Sequence, residues 1–142
     1  MEKVYLNDID LHNTYGLILG SKDISTPERQ VLTIDVPGRD GVLDITDQLY
    51  SEPKYRNRTI ELKFFNVRGL RNQMDWPAMY STILTAFHGK VVRIRFSKDP
   101  NHYFQGRCNV DFEERGGSRG FIMTFDCEPY KYSVADPTVK SL

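Results

Sequence analysis

Apolar residues in this chain recur mostly at every second position. Between Val31 and Val36, Leu32, Ile34 and Val36 fall on one side, with Thr33 and Asp35 on the other. From Arg58 to Val67, Ile60, Leu62 and Phe64 oppose Thr59, Glu61 and Lys63; later, Val92, Ile94 and Phe96 alternate with Arg93 and Arg95. Successive side chains of a pleated strand leave opposite faces. Each run therefore predicts a strand with one face buried and the other solvated or turned to a partner.

Two further runs fit together as a hairpin. Phe104, Gly106, Cys108, Val110 and Phe112 share one face of the first, and Phe121, Met123, Phe125 and Cys127 share one face of the second. Pairing Phe112 with Phe121 sets Val110 against Met123, Cys108 against Phe125 and Cys127 against Gly106, so the whole apolar set turns inward. A slip of one residue would turn that set outward, which selects this register. The connection E-E-R-G-G-S-R-G is glycine-rich and long, and predicts a protruding or mobile loop rather than a tight turn.

A single segment has a helical period. In D-W-P-A-M-Y-S-T-I-L-T-A-F-H-G, Trp76, Met79, Tyr80, Ile83, Leu84 and Phe87 recur at spacings of three and four. Asp75 is placed as N-cap, Pro77 lies in the first turn, where its missing N–H is harmless, and Gly89 takes the position just past the C-terminus. The polar stretch Ser51 to Asn57 extends the region after Val36 into a long loop. The elements predict an α+β, mainly β chain: an antiparallel sheet system crossed by one helix near 75–88. Residues 1–132 form a single domain, and residues 133–142 a C-terminal tail.

Composition narrows the function classes. Nineteen basic residues balance nineteen acidic ones among 142 residues, giving a formal net charge of zero. A dedicated nucleic-acid binder usually carries a basic excess, whereas zero net charge leaves little repulsion between copies and suits a protein that associates. No apolar run approaches the roughly 18 residues needed to span a bilayer, and the N-terminus lacks a signal-peptide core, so synthesis in a cytoplasm is expected. Cys108 and Cys127 fall on apolar faces and read as buried free thiols.

The residues that could carry chemistry do not converge. His88 ends the helix, where a positive charge suits the macrodipole and the ring can reach terminal carbonyls. His102 lies in a polar turn and His12 in D-L-H-N-T, none with a second ligand at metal spacing. There is no nucleophile elbow. Asp40, Asp44, Asp47, Glu113 and Glu114 read as turn formers and solvated surface. The expectation is therefore no catalytic residue, no metal and no cofactor.

The stretch V-P-G-R-D-G, Val36 to Gly41, has the look of a phosphate loop, yet no helical pattern follows it to supply an ordered N-terminus, and G-G-S-R-G fails likewise. Gly38 and Gly41 fit a sharp exit from a strand, with positive φ. Arg39 and Asp40 are then candidates for holding that loop or a neighbouring chain. Lys54, Arg56, Arg58, Arg68, Arg71, Arg93 and Arg95, with Tyr55 interleaved, could make a basic surface for nucleic acid. Nearby acidic residues cancel it, and an arginine-rich outer strand face more often marks a protein interface. The subunit-interface candidates are Gly38, Arg39, Asp40, Gly41, Lys54, Tyr55, Arg56, Arg93 and Arg95.

Seven pieces of the chain, in order, resemble the N-terminal ring-forming domain of siphophage distal tail proteins. They are Y-G-L-I-L-G-S at Tyr15–Ser21, P-E-R at Pro27–Arg29, V-P-G-R-D-G-V-L-D at Val36–Asp44, N-R-T at Asn57–Thr59, F-H-G-K at Phe87–Lys90, Y-F-Q-G-R at Tyr103–Arg107 and C-E-P-Y-K-Y at Cys127–Tyr132. The resemblance implies a fold like that of the tail-tube protein, a β-sandwich or split barrel with one helix and a long loop that engages the neighbouring subunit. It also implies a non-enzymatic phage or prophage virion protein, forming a ring of six at the distal end of the tail tube. Such a ring joins the tube to baseplate or tail-tip proteins, and DNA passes through its channel without specific binding and without a membrane role. Longer relatives continue into a second, carbohydrate-module-like domain after the ring domain, whereas only P-Y-K-Y-S-V-A-D-P-T-V-K-S-L follows the last predicted strand. The chain is thus a minimal member or a fragment, and sugar binding is not carried over. A monomeric tail adaptor or assembly factor is the alternative, followed by a small hydrolase whose carboxylates converge in space.

Overall fold

The computed structural model describes residues 2–46, 52–66, 76–115 and 118–142. Its main sheet is antiparallel throughout and runs in the order β2-β1-β7-β8-β9-β6-β3, with the ribbon β10–β11 added along β8. The strands are β1 (Val4–Leu6), β2 (Ile9–Asp10), β3 (Leu17–Ile24), β6 (Arg58–Asn66), β7 (Val91–Phe96), β8 (Asp99–Arg115), β9 (Ser118–Cys127), β10 (Lys131–Ser133) and β11 (Lys140–Ser141). A separate two-stranded ribbon joins β4 (Thr33–Ile34) to β5 (Leu43–Asp44). The helices are α1 (Leu11–Tyr15) and α2 (Trp76–Phe87).

Chain connectivity forces the main sheet to curl. Its seven-strand path would span about 29 Å if laid flat at about 4.8 Å per strand. Yet β2 and β3, at opposite ends of that path, are joined through α1, whose five residues rise only about 7.5 Å. Contacts cross the gap: Lys22 of β3 pairs with Glu2 beside β1 at 2.8 Å, and its Nζ lies 4.5 Å from the ring centre of Phe96 in β7. Short α1 is fixed at both ends, by Asp10 Oδ1 accepting from the His12 and Asn13 amides and by Gly16 in a left-handed C-cap. The result is a split barrel with a single apolar interior.

The alternation seen in the sequence fills that interior. Ile60, Leu62, Phe64, Val92, Ile94, Cys108, Phe121, Met123, Phe125 and Cys127 are essentially without solvent contact, and α2 adds Met79, Ile83 and Phe87 from one side. Tyr15 of α1 meets Phe87 edge to face, and Tyr80 of α2 stacks on Phe121. Gly89 follows α2 with φ 75°, as its place in the sequence predicts. The proposed N-cap, Asp75, lies outside the described residues.

The hairpin register is the expected one: Phe112 opposes Phe121, Val110 Met123, Cys108 Phe125 and Gly106 Cys127. Two details differ. Pairing continues through Glu113–Gly120 to Arg115–Ser118, so only residues 116 and 117 separate the strands, in place of the long loop expected over 113–120. Gly120 is a strand residue, pressed so close to β6 that a Cβ there would lie 2.7 Å from the Phe64 carbonyl oxygen. Because the hairpin outruns the core, Phe112 remains 41% exposed although it lies on the inward face, and Tyr80 covers it with ring centres 4.4 Å apart.

Four elements precede the first predicted strand: β1, β2, α1 and β3. Asn7 and Asp8, both at positive φ, make the two-residue turn between β1 and β2. This is the backbone twist that such turns require and that Asn and Asp tolerate. The segment Val31–Val36 departs further from expectation. Only Thr33–Ile34 is strand, its partner is Leu43–Asp44, and Ile34 is 45% exposed where a buried face was predicted.

Residues of the expected tail also take part in the sheet. Ser133, the first of them, pairs with His102 of β8 beside the Tyr132–Tyr103 pair of the domain itself, and Lys140 and Ser141 of β11 pair back onto β10. Asp99 fastens this ribbon by accepting from Lys131 Nζ at 3.0 Å while its other oxygen meets His102 Nδ1 at 2.8 Å. The His102 hydrogen bond, followed by Lys131, holds the Asp99 carboxyl below its ordinary value of 3.8. A depressed carboxylate contributes stability above its unfolded value and loses it as pH falls through the folded one. Acidification below the ordinary aspartate range should therefore lower the protection of the Lys131–Ser133 amides, measured against their intrinsic exchange rates at each pH, before the barrel opens. Protection there that is unchanged between pH 4 and about pH 2 would remove Asp99 as the fastening.

Candidate functional site: an exposed arm and an arginine recess

Between β3 and β6 the chain leaves the barrel as an arm. Its base is a short ladder: the Gln30 amide donates to the Lys54 carbonyl at 2.7 Å, the Arg56 amide donates to Glu28 at 2.8 Å, and Arg29 bridges Tyr55. Beyond the base, the Ile45 amide donates to Leu32 and the Leu32 amide donates to Thr46 Oγ1, both at 2.8 Å, leading into the β4–β5 ribbon. Asp44 accepts from the backbone and the hydroxyl of Thr46 and lies 3.7 Å from Arg29, contacts that hold its carboxyl below the usual range, the Thr46 hydroxyl first among them.

The stretch Val36–Gly41 caps this arm. The Arg39 amide donates to the Val36 carbonyl at 3.2 Å, with Pro37 and Gly38 between them and Gly38 at φ 79°. Proline second and a positive-φ glycine third is the signature of a type II turn. Gly41 takes φ 74°, and a Cβ at either glycine would meet nothing within 4 Å. Both glycines serve backbone conformation and not close packing. Arg39 and Asp40 make no ion pair with each other or with any described residue, so they do not brace their own loop.

The arm exposes Val31, Ile34 and Val42, the last at 57%. Burying an aliphatic side chain is worth about 1.5–3 kcal/mol. Three left in water on one thin ribbon thus represent several kcal/mol that a covering surface would recover, before the cost of association.

Arg93 and Arg95 stand apart from the arm, on the outer face of β7. They line a recess of about 220 Å³ with Asp8, Tyr103, Val134 and Pro137. Arg93 lies 5.6 Å from the Tyr103 ring centre and Arg95 4.3 Å from that of Tyr5. Arg95 reaches Asp8 at 3.8 Å, a loose contact to a carboxylate that is 88% exposed, where water screens most of the attraction. The structure thus sorts the sequence-derived candidates into three places: Gly38–Gly41 at the arm tip, Lys54–Arg56 at its base, and Arg93 with Arg95 in the recess.

Arg58 does not belong to that basic surface. It is only 7% exposed, with its guanidinium 5.6 Å from the Phe104 ring centre and its Nε without a partner. Burial pushes its pKa down, partly offset by Cys127. Parity in the sequence carries this signal, since Arg58 shares its face with Ile60, Leu62 and Phe64. Arg68 and Arg71 lie outside the described residues. His88 also differs from expectation: its Nδ1 accepts from the Val110 amide at 3.0 Å, while Lys90 Nζ and Arg107 Nη1 reach the carbonyls of Thr85 and Gly89 at the end of α2.

Both cysteines are free and buried, and burial raises each thiol to about 12. Thiolate is the reactive form, so neither should react with an alkylating reagent in the folded state, and both should react after denaturation. Native labelling at neutral pH, read by intact mass, would contradict this arrangement. Among the described residues no three His, Cys, Asp or Glu side chains gather as a metal set, and no helix is long and apolar enough to cross a membrane.

A mainly antiparallel split barrel with one principal helix is the fold this chain shares with a phage hub protein of known structure. The chain superposes on the crystal structure of the SPP1 Dit (gp 19.1) protein, described as a paradigm of the hub adsorption apparatus in phages infecting Gram-positive bacteria, with a TM-score of 0.70 over 94% of this chain. Sequence identity is 18%, and the chain spans about half (52%) of the length of that protein. No protein-family profile matches the sequence. No curated protein matches it either.

Proposed function

We propose that this chain is a structural, non-enzymatic component of a phage tail. It assembles head to tail into a ring at the distal end of the tail tube and links the tube to baseplate or tail-tip proteins. The observation that carries this reading is the arm: a ribbon with apolar residues in water and an unbraced charged tip, on the fold of a phage hub protein. A closed ring requires a heterologous contact, in which one surface of each copy meets a different surface of the next. An arm and a separate recess supply two such surfaces. Hexameric stoichiometry, a channel that passes DNA without specific contacts, and a place in the virion's distal tail follow from the same reading.

The test is the number of copies per particle, by native mass spectrometry or electron microscopy at low and physiological salt. A ring is expected. Exchanging the tip charges, Arg39→Asp with Asp40→Arg, should leave thermal stability unchanged and weaken assembly. A chain that stays monomeric, alone and with tail-tube protein, would favour the adaptor reading.

A further inference from the structure

We infer that the acidic tip of the arm seats in the Arg93–Arg95 recess of the next copy of this chain. The inference rests on the self-assembly reading and names the two surfaces that meet.

Charge is the first argument. The recess holds two guanidiniums against one carboxylate, Asp8, and Arg93 has no acidic partner among the described residues. The arm tip carries Asp35 and Asp40 against Arg39, an excess of one negative charge. A guanidinium presents a planar fork of donors that fits a carboxylate with two parallel hydrogen bonds, so an aspartate is a natural occupant.

Size and surface chemistry agree. At about 220 Å³ the recess is smaller than the ~300–1,000 Å³ of small-molecule pockets, and it suits one or two inserted side chains. Its walls include Val134, itself 52% exposed, and Pro137, apolar surface that the arm's Ile34 and Val42 can cover. Polyphosphate would gain nothing from those walls and would meet Asp8 at the rim.

Position supplies the third argument. The C-terminal ribbon separates arm from recess: Tyr130 packs edge to face on Tyr55 at the arm base, with ring centres 6.2 Å apart, whereas Val134 and Pro137 face the recess. Arm and receptor are therefore distinct surfaces of one molecule, as head-to-tail closure demands.

The test uses two full-length variants. One reverses the arm, Asp35→Lys with Asp40→Lys; the other reverses the recess, Arg93→Glu with Arg95→Glu. Circular dichroism and thermal unfolding check that both fold. Alone, each should self-associate at least about a hundredfold more weakly than the wild type, because like charges then face each other. Mixed in equal amounts they should assemble again, since every contact in an alternating ring is then complementary. A mixture that stays apart while the wild type assembles overturns the pairing and leaves self-assembly standing. A wild type that never associates overturns both. A recess variant that assembles normally but loses salt-sensitive binding to a DNA oligonucleotide would make the recess a phosphate site and overturn the proposal.

Discussion

Gly106→Ala should destabilise the barrel by about 3 kcal/mol, near the top of the usual range for overpacking, and lower the melting temperature by roughly 10 °C. A Cβ at Gly106 would lie 2.5 Å from the Asp126 carbonyl oxygen, 2.6 Å from Cys127 Sγ and 2.7 Å from Cys127 Cα. Two of those atoms are backbone, and they cannot rotate away as the end of a long side chain can. Nor can β8 retreat, because Gly106 pairs with Val92 of β7 on its other side. Denaturant titration reads the outcome directly. A loss below about 0.5 kcal/mol, the size of an ordinary surface substitution, would mean that β8 and β9 approach less closely.

The second large effect is a contrast between two apolar residues of similar sequence setting. Phe125→Ala should cost about 3–5 kcal/mol, since it removes a fully buried ring and leaves a cavity among Cys108, Ile60 and their neighbours. Ile34→Ala should leave stability within about 0.5 kcal/mol of the wild type, because Ile34 is nearly half exposed on the arm. Its effect belongs to assembly. A loss above about 2 kcal/mol for Ile34→Ala in the isolated chain would mean that the arm folds onto its own barrel, leaving no free surface to dock.

That contrast also marks the limit of periodicity. Leu32, Ile34 and Val36 alternate as cleanly as Ile60, Leu62 and Phe64, yet the first set decorates an exposed ribbon and the second builds the core. Alternation states that one face of a strand is apolar, and a partner chain can cover that face as well as the same chain can. The interface candidates stand out in the sequence as charged or glycine positions, with Tyr55 between two basic residues, and the left-handed φ of Gly38 and Gly41 follows from V-P-G-R-D-G itself. Their division between an arm and a recess was not legible, since it depends on where β7 lies relative to the C-terminal ribbon.

Local physics carried most of the barrel. The helix 76–87, the inward faces of β6 and β7, and the β8–β9 register follow from side-chain period, the sites of Pro77 and Gly89, and the penalty for turning Val110 or Phe125 outward. Even the burial of Arg58 is present in its parity. Tertiary structure alone decided that α1 ties the two ends of the sheet together, that β10 returns to pair with β8 and carries β11 on its other side, and that Glu113–Arg115 and Ser118–Gly120 stay in the ladder. Each of those depends on contacts between residues far apart in the chain, or on backbone hydrogen bonds that any side chain permits. A sequence pattern specifies which face of an element is apolar; which surface that face meets is settled only when the whole chain has closed.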